Sequence, residues 1–399
     1  MALVIRQDQS TLSVDDQLKF VHAVRNLKGT VNRAYDTYVQ MHWDYSDAGH
    51  GGPAFLPWHR EFLRRFELDL QRVANDATLG LPYWNWSVDS TPLAGIWNSG
   101  FMGGNGQTTD GQVTNGPFAY KTGYWPLNVR TPEEPNPYLR RRFGSDPNAR
   151  SLPTPDDVLG TLRATPYDVA PWDEGSGSGF RNTLEGWIPG PEPQMHNRVH
   201  VWVGGSMLPM TSPNDPVFWL HHCFIDKLWA DWQVAHPDEG YLPTAGARPG
   251  HNLNDPMPPW NQPTDTVRPA NVLDHRALGY RYEGYLLPGE ELSPFQWVGS
   301  PRHTCLLWYD NYGDVILSSP NSTNFLWTSG TGSNFIGAKC RMETNGNLVS
   351  YDPSGKVIWD SKTAGNPNSY LVVRDEGYVA ICSPKASDPI WSRPPPQRG

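Results

Sequence analysis

The chain has 399 residues, which exceeds one average domain and is long enough to bury hydrophobic cores without disulfide support. Its formal net charge is −9, and no run of Lys and Arg offers a phosphate-binding stripe, which argues against nucleic acid as a partner. The 18 Trp, 17 Tyr, 39 Pro and 38 Gly indicate a loop-rich globular protein with aromatic packing, and they exclude a disordered chain.

The first two thirds of the chain have the apolar spacing of helices joined by long loops. The N-terminal residues Met1–Arg6 lack the apolar core of a signal peptide, so a secreted and a cytoplasmic location both stay open. Helices are predicted at about residues 17–45, 53–74, 195–202 and 215–235. Between residues 86 and 192, clusters of Gly, Pro, Asn and Asp predict mostly loop. No apolar stretch is long enough to span a membrane.

From about residue 285 onward the helical spacing ends. Short alternating runs bounded by Gly, Asn, Asp or Ser then predict a small all-β module. We therefore divide the chain into a helical domain at 1–285, a linker at 286–299, an all-β domain at 300–392 and a disordered tail at 393–399. The predicted fold class is a mainly α domain built on a four-helix bundle with long loops, followed by the β domain.

Six of the twelve histidines fall into two groups of three. The first group spans the end of one predicted helix, the following loop and the next helix: His42, His50 and His59. The second group combines two histidines one helical turn apart with one member of an adjacent pair: His196, His200, and His221 or His222. His196 and His200 are four apart on a helix and therefore share one face. Each group of three histidines predicts a metal site.

Neutral imidazoles without a thiolate or an acidic ligand suit copper better than magnesium, calcium or a structural zinc. Each group would supply three protein ligands and leave a position open for oxygen. A zinc hydrolase is the main alternative, but it needs a single trio, usually with a carboxylate and a catalytic Glu. A lone His is more often an ordinary core or surface residue, and it is the presence of two trios that favours a pair of copper ions.

Four longer motifs surround these histidines. They are HGGPAFLPWHR at His50–Arg60, FRNTLEGW at Phe180–Trp187, HNRVH at His196–His200 and NDPVFWLHH at Asn214–His222. In these motifs, residues 1–285 closely resemble the family of tyrosinases, catechol oxidases and hemocyanins, and bacterial tyrosinases most of all. The motifs are long and jointly specific, so chance is a poor explanation.

The resemblance implies an enzyme with two copper ions and O2 as co-substrate. Such an enzyme ortho-hydroxylates small monophenols, oxidises o-diphenols to o-quinones, or does both. The resemblance also implies the ligands: His42, His50 and His59 for the first copper, and His196, His200 and His222 for the second. In family members the second His of the adjacent pair is the ligand, which favours His222 over His221.

Further residues match family positions beside the copper ions. Glu185 and Asn197 resemble a pair that holds a water able to accept the proton of an incoming phenol. Phe218 lies one helical turn before His222 and would flank the substrate as a stacking surface. Met210 falls at the mouth of the substrate pocket, although ordinary core packing is an equal alternative for it.

Two departures qualify the resemblance, and one further residue has two equal alternatives for its role. Ala48 stands where many fungal, plant and molluscan members have a Cys bonded to a ligand, so that link is absent, as in bacterial enzymes. The proline-containing stretch between Glu185 and His196 is longer than usual and could displace the carboxylate. Asp226, one turn after His222, could anchor a ligand imidazole, and a salt bridge is the equal alternative.

The enzyme interpretation competes with two others. A hemocyanin-like oxygen carrier shares the copper site but lacks an open pocket, and a lectin-type binding protein would leave six ligand positions without a use. Within the enzyme class, an o-aminophenol oxidase and a catechol oxidase without hydroxylase activity have the same ligands. Pocket shape and proton handling distinguish these activities.

The C-terminal residues 305–391 resemble bulb-type mannose-binding lectins, which are β-prisms of three sheets. At the best-matching positions, where the lectins use Gln, Asp, Asn and Tyr to bind mannose, this chain has Glu343, Asn345, Asn347 and Tyr351. The resemblance therefore implies a β-prism whose carbohydrate binding is weakened or lost. The module would instead shield the copper pocket or serve as a docking unit. It also implies a Cys305–Cys340 disulfide in an oxidising compartment.

Overall fold

The computed structural model describes residues 4–31, 33–188, 190, 192–236, 238–300, 304–319, 325–332, 335–383 and 389–394. The chain divides into two units, Met1–Trp232 with Asp238–Arg281, and Gln233–Pro237 with Tyr282–Gly399. Among the described residues, no helix combines the length and the apolarity that crossing a membrane requires.

The described residues up to Tyr282 are mainly helical. Their helices are α1 (Val14–Gly29), α2 (Ala34–Asp44), α3 (Ser46–Gly49), α4 (Phe55–Ala74), α5 (Pro155–Leu162), α6 (Phe180–Glu185), α7 (Met195–Val203) and α8 (Val217–Ala235). Two small two-stranded sheets accompany them: β1 (Val4–Arg6) with β4 (Tyr280–Tyr282), and β2 (Asn261–Gln262) with β3 (Asp265–Thr266). The predicted mainly α character is confirmed, with α5 and α6 as additional short helices inside the predicted loop region.

The first predicted helix is in fact two. It ends at Gly29, and α2 begins after Arg33, which adopts a left-handed conformation with φ of 47°. The Thr30 side chain donates to the carbonyl of Leu27 and accepts from the backbone N–H of Ala34, so it caps both helix ends at the break. Gly29 has low helix propensity, which favours the end of a helix there. The break was not predicted because the apolar spacing of the sequence continues across it.

Helices α4 and α8 carry the apolar centre of this unit. Helix α8 is buried on nearly all sides, which explains its almost continuous apolar sequence. Trp219 on α8 stacks on Phe66 of α4 with ring centroids 3.5 Å apart. Tyr35 of α2 packs edge-on against Phe66 and donates its hydroxyl to the carbonyl of Pro213, just before α8. The packing brings the histidine-bearing α2, α4 and α8 together.

A buried cluster of charges ties the N-terminal strand to these helices. Arg6 on β1 donates to both oxygens of Glu67 at 3.0 and 3.1 Å, and to Asp226 at 3.2 Å. The second oxygen of Asp226 accepts from Arg60 at 2.5 Å, and the hydroxyl of Tyr280 donates to the first at 2.6 Å. Asp226 therefore forms buried salt bridges, which was one of the two alternatives left open for it by the sequence.

The described residues from Tyr285 onward form three antiparallel sheets of four strands each. In chain order the strands are β5 (Tyr285–Leu286), β6 (Glu291–Leu292), β7 (Trp297–Gly299), β8 (Leu306–Tyr309), β9 (Val315–Ser318), β10 (Phe325–Thr328), β11 (Lys339–Met342), β12 (Leu348–Tyr351), β13 (Val357–Asp360), β14 (Tyr370–Arg374), β15 (Tyr378–Cys382) and β16 (Trp391–Arg393). The sheets run β7-β8-β9-β10, β6-β11-β12-β13 and β5-β14-β15-β16, as expected for a β-prism. Their inward residues, Leu317, Leu348 and Leu371 among them, share one core.

The segment 286–299, predicted as a linker, differs from that expectation. It supplies β6 and β7 and the end of β5, so it gives one strand to each of the three sheets. These strands are too short for an alternating pattern to be recognised in the sequence. Of the predicted tail, residues 395–399 lie outside the described residues, while Arg393 belongs to β16. Cys305 and Cys340 are buried free thiols in the prism core, in contrast to the implied disulfide.

Candidate metal centre

The structure brings the histidines together in two groups. In each group the imidazoles offer one nitrogen apiece, and these nitrogens lie within 4.8 Å of one another. The first group combines the last turn of α2, the residue after α3 and the second turn of α4: His42, His50 and His59. The second group combines one face of α7 with the start of α8: His196, His200, His221 and His222.

The proton position is set on five of these imidazoles by oxygen acceptors at Nδ1. The pairs are His42 with Met210 O (2.6 Å), His50 with Ser46 O (2.9 Å), His59 with Phe55 O (2.8 Å), His196 with Asn197 Oδ1 (2.9 Å) and His200 with Met207 O (2.7 Å). A carbonyl oxygen only accepts, so the proton must reside on Nδ1. Each Nε2 is then left with a free lone pair, as a metal ligand requires.

The Nε2 atoms converge at distances that fit a bound metal ion. His222 Nε2 lies 3.3 Å from the Nε2 atoms of both His196 and His200, and in the first group His59 Nε2 lies 3.5 Å from His42 Nε2. Metal–nitrogen bonds of about 2.0 Å at tetrahedral angles require a nitrogen–nitrogen separation of about 3.3 Å. The donor set is imidazole nitrogen alone, which suits copper.

The electrostatic setting keeps these imidazoles neutral. Burial is the largest cause, and it lowers the pKa of His200 to about 4 and holds the pKa of His222 well below its usual range. In His59 and His196, repulsion from neighbouring imidazoles lowers the pKa further. The imidazoles are therefore uncharged at neutral pH, which is the form that binds metal ions.

The adjacent histidines of α8 have different hydrogen-bond partners. His221 Nδ1 accepts a hydrogen bond from the indole N–H of Trp86 at 3.1 Å. Because the indole can only donate, the proton of His221 must be on Nε2, and that nitrogen has no lone pair for a metal. His222 has no partner at Nδ1 among the described residues, and its Nε2 lies near the Nε2 atoms of His196 and His200. The geometry favours His222 as the third ligand.

A cavity of about 390 Å³ opens over the two groups. Four of the imidazoles line it: His42, His50, His196 and His200. Apolar side chains such as Val201 and Leu208 form part of its wall, and the charged residues Asp47, Glu174 and Arg248 also line it. An aromatic molecule of modest size can therefore approach both groups from this side.

Comparison with known proteins shows to which family the region with the two histidine groups belongs. A family model described as the common central domain of tyrosinase matches residues 32–235. The chain belongs to the tyrosinase family. A tyrosinase of Streptomyces glaucescens is 48% identical over 283 residues, covering 69% of this chain and 97% of that protein. Grixazone synthase of Streptomyces griseus is 40% identical over 314 residues, covering 70% and 99%.

Solved structures include similar chains for both parts. A polyphenol oxidase variant from Thermothelomyces thermophila is 28% identical, covers 58% of this chain and 70% of its own, and has a TM-score of 0.47. A monocot mannose-binding lectin from Gastrodia elata is 23% identical, covers 28% and 96%, and has a TM-score of 0.25. By its tyrosinase relatives, the chain is an oxidoreductase of the copper phenol oxidase type, and the family implies a dicopper centre.

In this tyrosinase-family chain, three of the four predicted pocket residues line the cavity, namely Glu185, Asn197 and Met210. Met210 is 40% exposed, and its carbonyl accepts from His42. Phe218 is completely buried and is not part of the cavity lining. Its ring stacks on His222 with centroids 4.0 Å apart, and its contact with a substrate stays a prediction.

The Glu185 carboxylate is fixed at both oxygens. One oxygen accepts from the backbone N–H of Gly51 at 2.6 Å and the other from Arg181 at 2.9 Å. Arg181 also pairs with Asp168, so two buried carboxylates share one guanidinium. The long stretch before His196 leaves Glu185 at the cavity, although its residues 189 and 191 lie outside the described part of the chain.

Three site residues were missed by sequence reasoning. Trp86 determines the tautomer of His221, Arg181 binds Glu185, and Arg248 lines the cavity. Arg181 carried a usable signal, because it precedes Glu185 by four residues within the quoted motif and thus shares its helix face. Trp86 and Arg248 carried none, since they reach the site from distant loops.

Proposed function

We propose that this chain oxidises small phenols with O2 at two copper ions, bound by one trio of imidazoles each. The first trio would be His42, His50 and His59, and the second His196, His200 and His222. The observation that carries this proposal is the convergence of imidazole Nε2 atoms in two neighbouring groups beneath one cavity. An accessible cavity favours an enzyme over an oxygen carrier of the hemocyanin type.

When bound, the copper ions would supply the binding and reduction of O2, and the protein would position the phenol and move its proton. Glu185 is the proposed proton acceptor, through a water, and its two anchored oxygens keep the carboxylate in one orientation. Asn197 uses its amide oxygen for His196. That bond leaves the amide N–H groups to hold the water beside Glu185.

This proton path predicts a selective defect in the Glu185→Gln variant. Monophenol hydroxylation is expected to fall about 10²-fold or more, because a neutral amide accepts no proton. Oxidation of the matching o-diphenol should fall much less, since its first hydroxyl is more readily ionised. Oxygen uptake with a monophenol and its catechol gives the ratio of the two rates, which does not depend on how much of the variant is correctly folded.

The matched control is Glu174→Gln, which neutralises another carboxylate lining the same cavity. It should leave the ratio of monophenol to diphenol turnover unchanged. An unchanged ratio in Glu185→Gln would show that the carboxylate is not the proton acceptor.

The reaction class is tested with copper-reconstituted protein and three substrates. We expect turnover of both a monophenol and a catechol. A catechol oxidase would act on the catechol alone, and an o-aminophenol oxidase would prefer the aminophenol. Failure with all three, together with a reversible absorption band under O2, would replace the oxidase with a carrier.

For the β-prism unit we propose that sugar binding is lost at the best-matching positions. The Tyr351 hydroxyl donates to Glu343 at 2.8 Å, and Asn347 donates to Asp360 at 2.9 Å. The amide oxygen of Asn347 accepts from the backbone N–H of Thr363 at 3.0 Å. These groups form hydrogen bonds with one another, so a sugar would have to break existing bonds.

A glycan array should give no signal, and tight mannose binding would contradict the proposal. Shielding of the pocket stays a prediction.

A further inference from the structure

The segment that carries His50 has little regular structure of its own. His42 and His59 lie within longer helices, whereas His50 follows a helix of four residues in an extended conformation, with φ of −137° and ψ of 162°. Its backbone is instead held by side chains from other parts of the chain. Glu185 accepts from Gly51 N–H, and the Tyr167 hydroxyl donates to the carbonyl of Pro53 at 2.8 Å.

Arg248 makes the contacts nearest to His50 itself. Its Nη2 donates to the carbonyl oxygens of Asp47, at 2.7 Å, and of His50. One nitrogen with two hydrogens thus joins the helical turn before His50 to the residue that carries the imidazole. The carbonyl of Asp47 belongs to the last turn of α3, where carbonyls lack helical partners and a positive charge is favourable.

His251 orients this guanidinium. It is 1% exposed, and burial lowers its pKa to about 3, so it is neutral. Its Nε2 lies 3.0 Å from Arg248 Nε, while its Nδ1 lies 3.2 Å from the backbone N–H of Ala54. A neutral imidazole has one acceptor nitrogen, and the charged guanidinium is the stronger donor, so we assign the hydrogen bond to Arg248.

The fit between His251 and the His50 segment leaves no space for a larger residue at Gly52. A Cβ atom added there would lie 2.7 Å from His251 Nδ1 and 3.4 Å from Arg248 Nη2. The loop that contains both residues therefore packs directly on the backbone two residues after His50. Because of this close contact, a shift of the loop would also move the segment that carries His50.

We propose that Arg248 is a positioning residue for the first copper site, with His251 holding it in place. This inference rests on the proposed function, because it assigns His50 as a ligand. Groups that orient a metal ligand typically change metal affinity by 10- to 100-fold when they are replaced. Arg248 contacts the His50 segment and no residue of the second trio, so its loss should weaken the first site alone.

The test measures copper affinity of full-length protein by competition with a chelator, independently of activity. His196→Ala provides a background with the first site only, and His42→Ala a background with the second site only. Adding Arg248→Gln should lower affinity about tenfold in the first background and leave the second unchanged. Arg248→Lys should recover part of the loss, since an ammonium donates to the same carbonyls. Arg248 is exposed, so neither change removes core packing.

The control is Arg268→Gln, which removes a partly buried arginine that donates to the carbonyl of Asn254 in the same region. It should leave both affinities unchanged. Wild-type affinity of the first site in Arg248→Gln would overturn the inference, and so would an equal loss at both sites. Unaltered protein that binds fewer than two copper ions would instead refute the proposed function, and the inference with it.

Discussion

Replacing His222 with alanine is expected to leave about one copper ion per chain and to abolish phenol oxidation, whereas replacing its neighbour His221 should retain both ions. The reason is the different tautomers of the two imidazoles. Trp86 donates to His221 Nδ1 and so keeps a proton on the nitrogen that would face a metal. His222 directs its Nε2 to within 3.3 Å of His196 and His200. His196→Ala should behave as His222→Ala does.

Copper content by elemental analysis and oxygen uptake with a catechol test this prediction. His221→Ala should cost stability, because it leaves the indole of Trp86 without its acceptor, at about 1–3 kcal/mol for an unpaired buried group. That cost provides the contrast: His221→Ala is less stable but active, and His222→Ala is inactive. The reverse pattern would reassign the third ligand to His221.

The Asp226→Ala variant is expected to lose about 3–5 kcal/mol of unfolding free energy. Asp226 is buried and accepts from Arg6, Arg60 and Tyr280. Removing one partner of a buried ion pair leaves the remaining charges uncompensated in a medium of low dielectric constant. At roughly 2–4 °C per kcal/mol for a unit of this size, the melting temperature should fall by about 10 °C.

Thermal and urea unfolding of the copper-free protein measure this loss without a contribution from metal binding. The comparison is Lys19→Ala, which breaks a salt bridge to Asp76 in which the Lys side chain is 49% exposed. Exposed pairs contribute little because solvent and salt screen them, so this variant should unfold close to wild type. Equal effects of the two substitutions would contradict the role given to the buried cluster.

The sequence predicts much of the site because local spacing encodes it. His196 and His200 are four apart, so they lie on one face of α7 wherever that helix begins. The other predicted ligands come from the resemblance of the longer motifs to the family. Where two identical residues are adjacent, as His221 and His222 are, sequence spacing does not choose between them. The choice follows from Trp86, which lies 135 residues from His221 in the chain and contacts it only after folding.

The gaps in the prediction have the same physical origin. The sequence left two roles open for Asp226, and the choice between them depended on which charges fold against it, because Arg6 reaches it across 220 residues. Phe218 has the right spacing to lie near the histidines, but spacing along a helix does not say on which side of an imidazole the ring lies, so its contact with a substrate stays a prediction. The break at Thr30 and the short strands within 286–299 were missed because tertiary contacts define them and their own sequence patterns do not.

The way the β-prism begins has a consequence for its synthesis. Its first strand, β5, pairs with β14, so Leu286 faces Leu371 close to the end of the unit. On the ribosome, β5 emerges long before its partner exists, and its edge stays open until the last sheet is translated. A chain that stops before Tyr370 would expose this edge to pairing with other chains. Translation through β16 is therefore required before the three sheets can all close.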